Sequence, residues 1–320
     1  MDYLHNHKDF YGLLRIVEEE KKIIAGLIEK DYWIMQVLNG LKKQGFDFEL
    51  KGGTSLSKGY KIIDRFSEDV DIHIKPPEDK KIDDNPDNNK KENVQLRKEF
   101  YDWLAKEIKI DGIVSVERDT TFDDTKYYRS GGIRLKYESK TSAVEGLKEG
   151  LKEGILLEAG FDTVTPNTKL NIGSWTLDKA NETDGVKVLD NTAYDITCYH
   201  PGYTLVEKLQ TIATKFRQEQ TSGALKPNYM RQYYDVYCLL ADTKVNEFIG
   251  TDEYTLHKNI RFPKKDLEIP ISANEAFLLS SAEIRDDFRK RYKATANLYY
   301  KGQPEFDLLL ERINEHLPRL

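Results

Sequence analysis

"KGGTSLSKGYKIIDRFSEDVDIHIK", residues 51–75, holds the two features on which the reading of this chain turns. At its end, "DVDIHI" alternates: Asp69, Asp71 and His73 fall on one side, Val70, Ile72 and Ile74 on the other, the pattern of a strand. Residues i and i+2 of a strand project together, with Cα atoms roughly 6.5–7 Å apart. Asp69 and Asp71 therefore aim at one region of space. Two carboxylates so placed repel, and one pKa rises unless a cation stands between them. An edge strand with a charged outer face has the same alternation, so the Asp-x-Asp pair alone does not decide. The turn upstream shifts the balance: a double glycine alone is as easily an ordinary turn, but turn, helix and Asp-x-Asp strand in this order are far more specific. Gly52-Gly53 lets backbone N–H groups come close to an anion, and "TSLSKGYKII" predicts a short helix starting at Thr54 or Ser55 with its positive dipole end there. A phosphate pocket beside a divalent cation with oxygen ligands, Mg²⁺ or Mn²⁺, is equipment for phosphoryl or nucleotidyl transfer. It is not a P-loop, because Gly-x₄-Gly-Lys-Ser/Thr is absent.

Working outward, the first 44 residues read as helices, with apolar residues at three- and four-residue steps and an end near Gly45. "FDFEL" then changes the period to two and predicts a strand running into the glycine turn. Residues 76–93 are rich in Pro, Asn and charge and read as a loop. "VQLRKEFYDWLAKEI" is a helix, and "GIVSVERD", "KYYRSGGIRLKYES" and "GILLEAGFDTV" are strand-like. From about Tyr199 the pattern is helical. "YTLVEKLQTIATKF" places Leu205, Leu209, Ile212 and Phe216 on one stripe, and "MRQYYDVYCLL" and "EFDLLLERINEHL" are further helices. The expected fold is α+β: a mixed-sheet domain with helices over residues 1–198, then a helical C-terminal domain over 199–320.

Composition narrows the function. At 320 residues, 39% hydrophobic and with 19 Tyr and 13 Phe, the chain has the means for one large core or two. Its net charge of −6 argues against coating nucleic acid by bulk electrostatics and leaves only a local basic groove for that purpose. No apolar run is long enough for a membrane span, and the N-terminal residues lack a signal-peptide pattern. Cys198 and Cys238 show no metal or redox spacing, which favours a reducing cytoplasm. "LHNH" at 4–7 lacks the surroundings of a nuclease motif.

The stretch Leu50–Ile74, "LKGGTSLSKGYKIIDRFSEDVDIHI", resembles the signature of the nucleotidyltransferase-fold toxins of the AbiEii/AbiGii family, related to the MenT toxins. The shared pattern is a Gly-Gly-Thr/Ser turn, a short helix, then Arg-x-Ser-x-Asp-x-Asp, here Arg65, Ser67, Asp69 and Asp71. "IEKDYW" at 28–33 and the helices holding Lys208 and Asp235 are similar to the family too, so the resemblance spans most of residues 28–240. It implies a polymerase-β-like nucleotidyltransferase domain, an NTP substrate and Mg²⁺ or Mn²⁺ held by Asp69, Asp71 and a third carboxylate. Glu158 is the first candidate for that third acid, with Glu138 and Asp162 behind it; an exposed acid on a sheet face is the plain alternative. Such an acid would help hold metal and take the proton from the attacking hydroxyl.

By the same resemblance Gly52, Gly53, Thr54, Ser55, Lys58, Arg65 and Ser67 would hold the nucleotide, and Lys208 would reach the triphosphate in a cleft between the two halves. Modification of the Ser67 hydroxyl would place charge beside the metal and silence it. Asp235 would join the catalytic set; taken alone, Arg231 and Asp235 are an ordinary i, i+4 pair on a helix. Gln232 stands where the family often has an acid, so no role passes to it. Arg129 and Arg134 carry a weak acceptor-facing signal, and His73 reads as structural. The resemblance implies the toxin of a toxin–antitoxin pair in phage defence, with a separately encoded antitoxin and tRNA 3′ ends as the first acceptor to consider. A protein or small-molecule acceptor is the alternative within this chemistry, and a non-catalytic nucleotide- or RNA-binding module is the alternative outside it.

Overall fold

The computed structural model describes residues 1–141, 153–161, 166–226 and 229–320. The chain forms two compact units: Met1–Gly59 with Phe66–Tyr199, and Tyr60–Arg65 with His200–Leu320. The short segment 60–65, inside the quoted stretch, is thus part of the second unit.

The first unit is built on a seven-stranded mixed sheet in the order β3-β4-β5-β2-β1-β7-β6. Its strands are β1 (Phe48–Lys51), β2 (Asp69–Ile74), β3 (Ile113–Arg118), β4 (Ser130–Tyr137), β5 (Ile155–Gly160), β6 (Asn167–Ile172) and β7 (Ala193–Tyr199). β2 runs parallel to β5 and antiparallel to β1, and β1 runs parallel to β7. Val70, Ile72, Leu157, Ala159, Ile133 and Leu135 share one face of this sheet by register and are all fully buried. Two helices cover that face, α2 (Ala25–Lys43) and α3 (Lys91–Glu107). Trp33 of α2 stacks on Tyr137 with ring centres 4.6 Å apart, and Tyr101 of α3 packs so closely on Gly131 that a Cβ there would lie 2.5 Å from its ring.

The mixed sheet with flanking helices and a helical C-terminal part is the architecture the sequence led us to expect. "DVDIHI" is the strand predicted from its alternation. Three elements carried no clear pattern and were not anticipated: β6, β7 and the helix α4 (Trp175–Glu182). The helix expected over residues 54–63 is shorter. A helical turn at Gly52–Thr54 passes into a widened π turn at Ser55–Gly59 and stops, because the chain leaves there for the second unit. A π turn of this kind marks functional sites more often than chance.

In the second unit, α5 (Pro201–Ser222) begins with Pro at its first turn and ends at Gly223, whose φ of 67° closes the helix. Its predicted stripe of Leu205, Leu209, Ile212 and Phe216 is buried. α6 (Met230–Leu239) pairs with it, and Tyr233 of α6, Phe288 of α7 (Ala282–Lys293) and Phe306 of α8 (Phe306–His316) form an edge-to-face aromatic core. No helix among the described residues is long and apolar enough to cross a membrane, and both cysteines are free.

Candidate active site

The face of the sheet opposite the apolar one is where the acids meet. Asp71 stands beside Glu158 in the parallel register of β2 and β5, and Asp69 stands beside Leu156. Asp69, Asp71 and Glu158 therefore share one face, each half-buried. Burial pushes the Glu158 carboxyl up to about 8, and the Asp71 and Asp69 charges push the same way, while Lys51 and Arg134 pull against them. Lys51 is the β1 partner of Asp71. Arg134 comes from β4 on the same face and pairs with Asp119 at 2.7 Å.

The glycine turn is physically joined to this acid set. Gly52 has φ of +70°, and a Cβ built on it would lie 2.1 Å from Oδ2 of Asp71. Only glycine tolerates both that backbone and that neighbour. The Thr54 hydroxyl donates to the Asp69 carbonyl at 2.6 Å, so each aspartate of the strand is tied to the turn through a different residue. Gly53 is buried within it.

The other expected nucleotide contacts are placed differently. Ser55 is fully buried, its hydroxyl beside the Cys198 thiol, so its side chain faces the sheet. Lys58 pairs with Asp31 at 2.8 Å and lies 4.3 Å over the Trp175 ring. Ser67 is half-buried just ahead of β2. Arg65, Lys208 and Asp235 come together in the second unit. Arg65 donates through Nε and Nη2 to both oxygens of Asp235 at 2.6 Å each, and Lys208 reaches the same carboxylate at 3.1 Å. Burial works against the Asp235 charge, but Arg65 and Lys208 outweigh it and hold the pKa below the ordinary carboxylate range. Asp235 is completely shielded, and its partners are Arg65 and Lys208.

Glu138 is exposed beyond the end of β4 and pairs with Lys140, and Asp162 lies outside the described residues. Arg129 is committed to the Pro86 carbonyl at 3.0 Å. His73 is buried, and His5 of "LHNH" is a core residue between Tyr32 and Asp111.

Two residues escaped the sequence reading. Lys51 is one. The other is Lys30 of α2, almost fully buried, whose ammonium burial disfavours while Glu68 and Asp69 favour it. The signal was there: "EKD" puts three consecutive charges into a helix whose residues 25–39 are all buried. Each has a task, since Glu29 accepts from Ser139, Lys140 and Thr141 while Asp31 takes Lys58 and the Trp175 amide.

Among the described residues no group of three or more His, Cys, Asp or Glu side chains is gathered to hold a metal ion. The expected trio of Asp69, Asp71 and Glu158 is therefore not a ready-made cage. Donor type and charge still fit a hard divalent cation: the set is all carboxylate, and Glu158 stays well above its usual range despite Lys51 and Arg134. Mg²⁺ in particular uses one or two carboxylates and completes its shell with water and substrate phosphates.

Paired carboxylates tied to a glycine turn suit chemistry at phosphate groups. Residues 36–312 match the family described as "Nucleotidyl transferase AbiEii toxin, Type IV TA system", and the chain belongs to that family. It is thus a nucleotidyltransferase, and membership implies an NTP substrate and an antitoxin partner. The non-catalytic alternative falls with it. Comparison with the curated proteins and with the solved structures found no match.

Proposed function

We propose that this toxin transfers a nucleoside monophosphate from an NTP to a hydroxyl of an acceptor, with tRNA 3′ ends as the acceptor and Mg²⁺ as the cation, in a phage-defence setting. The observation that supports the reading is the closeness of Gly52 to the Asp71 carboxylate, since a Cβ built on that glycine would lie 2.1 Å from Oδ2. Asp69 and Asp71 would hold the cation, with Glu158 next to them. A divalent ion bound there supplies positive charge to the phosphates and makes a nearby hydroxyl easier to deprotonate.

The chain's own residues do the rest. Backbone N–H groups at Gly52 and Gly53 take the outer phosphate oxygens, and a side chain at 52 would collide with the Asp71 carboxylate. The acceptor oxygen forms its bond to the α-phosphorus as the bond to the bridging oxygen breaks and pyrophosphate leaves. The hydroxyl proton passes to the Glu158 carboxylate, whose raised pKa suits it to accept one. We assign Lys208 to neutralising phosphate charge, and Asp235 with Arg65 to holding it in place.

The test is to incubate purified protein with Mg²⁺, each α-labelled NTP in turn and total tRNA. Label on RNA with wild type and none with Asp69→Asn is the expected result. Label on RNA at equal rates from both proteins overturns the assignment, and label on protein alone moves the acceptor to a protein hydroxyl.

A further inference from the structure

The order of the strands gives the reaction a direction. β1, which leads into Gly52, and β5, which bears Glu158, flank β2 on opposite sides. In a displacement at phosphorus the attacking and leaving oxygens stand roughly in line. With pyrophosphate leaving over the glycine turn, the attacking hydroxyl comes from the Glu158 side. The molecule that carries this hydroxyl then lies over β4, the next strand out. On the acid face of β4, Gly132 stands beside Glu158, and Arg134 stands beside Leu156 in the row that holds Asp69. The connection from β3 to β4 folds down onto this spot: a Cβ built on Gly132 would lie 2.5 Å from the Asp119 carbonyl oxygen and 2.8 Å from Cβ of Phe122.

The connection is fixed where it lies. Arg118 donates to both oxygens of Asp123 at 2.9 and 2.8 Å, and the Gly132 amide donates to the same carboxylate at 3.1 Å. The Asp119 amide donates to the Gly132 carbonyl at 2.9 Å. Phe122 is half-buried, with the Arg134 guanidinium 5.9 Å from its ring centre. Arg134 is only 7% exposed and bonds Asp119 through Nε and Nη2, and Nη1 has no hydrogen-bond partner among the described residues. A ring on which a base can stack and a guanidinium for phosphate, held side by side in advance, are what a single-stranded nucleic-acid end requires. We propose that the terminal nucleotide of an RNA acceptor lies over β4, its base stacked on Phe122 and its phosphate on Arg134. The site rests on the transferase reading above, since the acids give the hydroxyl its direction.

The probe is an RNA hairpin that copies a tRNA acceptor stem and carries 2-aminopurine as its 3′-terminal base, whose fluorescence is quenched on stacking. It is titrated without nucleotide into wild type, Asp69→Asn, Phe122→Leu, Phe122→Tyr and Arg134→Lys, each checked for folding by circular dichroism. Wild type, Asp69→Asn and Phe122→Tyr quench the terminal base and leave the same base placed within the stem unchanged. Phe122→Leu gives no quench and binds about tenfold more weakly. In label transfer its KM for RNA rises while its KM for NTP holds. Arg134→Lys keeps the charge but loses the planar fork, so it binds several-fold more weakly with the quench retained. Quenching by Phe122→Leu equal to that of wild type overturns the proposal, as does the absence of a quench with wild type that labels RNA. Label on protein with no quench gives the site to a protein acceptor and overturns it as well. Were Asp69→Asn to transfer label as well as wild type while Phe122→Leu lost the quench, the catalytic assignment would fall and the base site would stand.

Discussion

At Gly52 two constraints act together: a left-handed backbone and the Asp71 carboxylate where a side chain would go. Gly52→Ala is therefore expected to lose about 1–2 kcal/mol from backbone strain and to lower label transfer at least tenfold by displacing Asp71. Gly185→Ala is the control. It has φ of +82° with nothing within 4 Å, so denaturant melts should show a similar loss of stability with transfer intact. Glu158 gives a pH signature. Its folded pKa, about 8, lies above the ordinary 4.5, so between those values the folded chain keeps a proton that the unfolded chain has released. Stability of the metal-free protein should fall as pH rises through that window and level off above it. Thermal melts of Glu158→Gln should show a flatter profile, and added Mg²⁺ should raise the wild-type melting temperature more at pH 8 than at pH 6. Asp69, Asp71 and the glycines were legible because a strand's alternation and a glycine's freedom are properties of the residues themselves. The partners of Lys58 and Ser55 were not, since residue type does not say which wall a turn presents.

The elements explain why the motif has its order. Between the turn and β2 the chain visits the second unit, where Arg65 is fixed to Asp235 and the Tyr300 hydroxyl donates to the Ile63 carbonyl at 3.1 Å. Breaking a buried ion pair by removing one partner leaves an uncompensated charge and costs about 3–5 kcal/mol. Asp235→Ala should lose that much in urea unfolding of the full chain, and Arg65→Met with Asp235→Leu should lose far less than the two single losses combined. If Asp235→Ala is as stable as wild type, its role is not the anchoring described here. Thr54→Val is a milder case, expected to cost about 1 kcal/mol through its bond to the Asp69 carbonyl. The strands β1 to β5 were readable from their period of two. β6 and β7 were not: β6 is largely exposed, with little apolar alternation in "NTKLNI", and β7 sets Asp195 amid apolar residues. The link from Arg65 to Asp235 spans 170 residues, and no local pattern carries such a contact.

For the molecule as a whole, the family match over residues 36–312 runs through both the carboxylate-bearing sheet and the helical unit. A toxin acting by transfer should arrest bacterial growth when expressed without its antitoxin, and Asp69→Asn should restore growth, as followed by colony counts after induction. Equal arrest by both would separate toxicity from the acids. The acidic net charge, plain from composition, excluded bulk nucleic-acid binding but could not reveal that folding brings Lys208 onto the Asp235 carboxylate. Lys30 and Lys51 belong to the same class of unseen feature, cations brought to the acids by folding.

The claim beneath all of this is that Asp69 and Asp71 jointly bind a divalent ion next to Gly52. Mn²⁺ titration followed by electron paramagnetic resonance, with a non-hydrolysable NTP present, measures it directly. Wild type should bind Mn²⁺ saturably, and the Asp69→Asn/Asp71→Asn double variant should lose that binding with its fold intact. Undiminished Mn²⁺ affinity in that variant would contradict it.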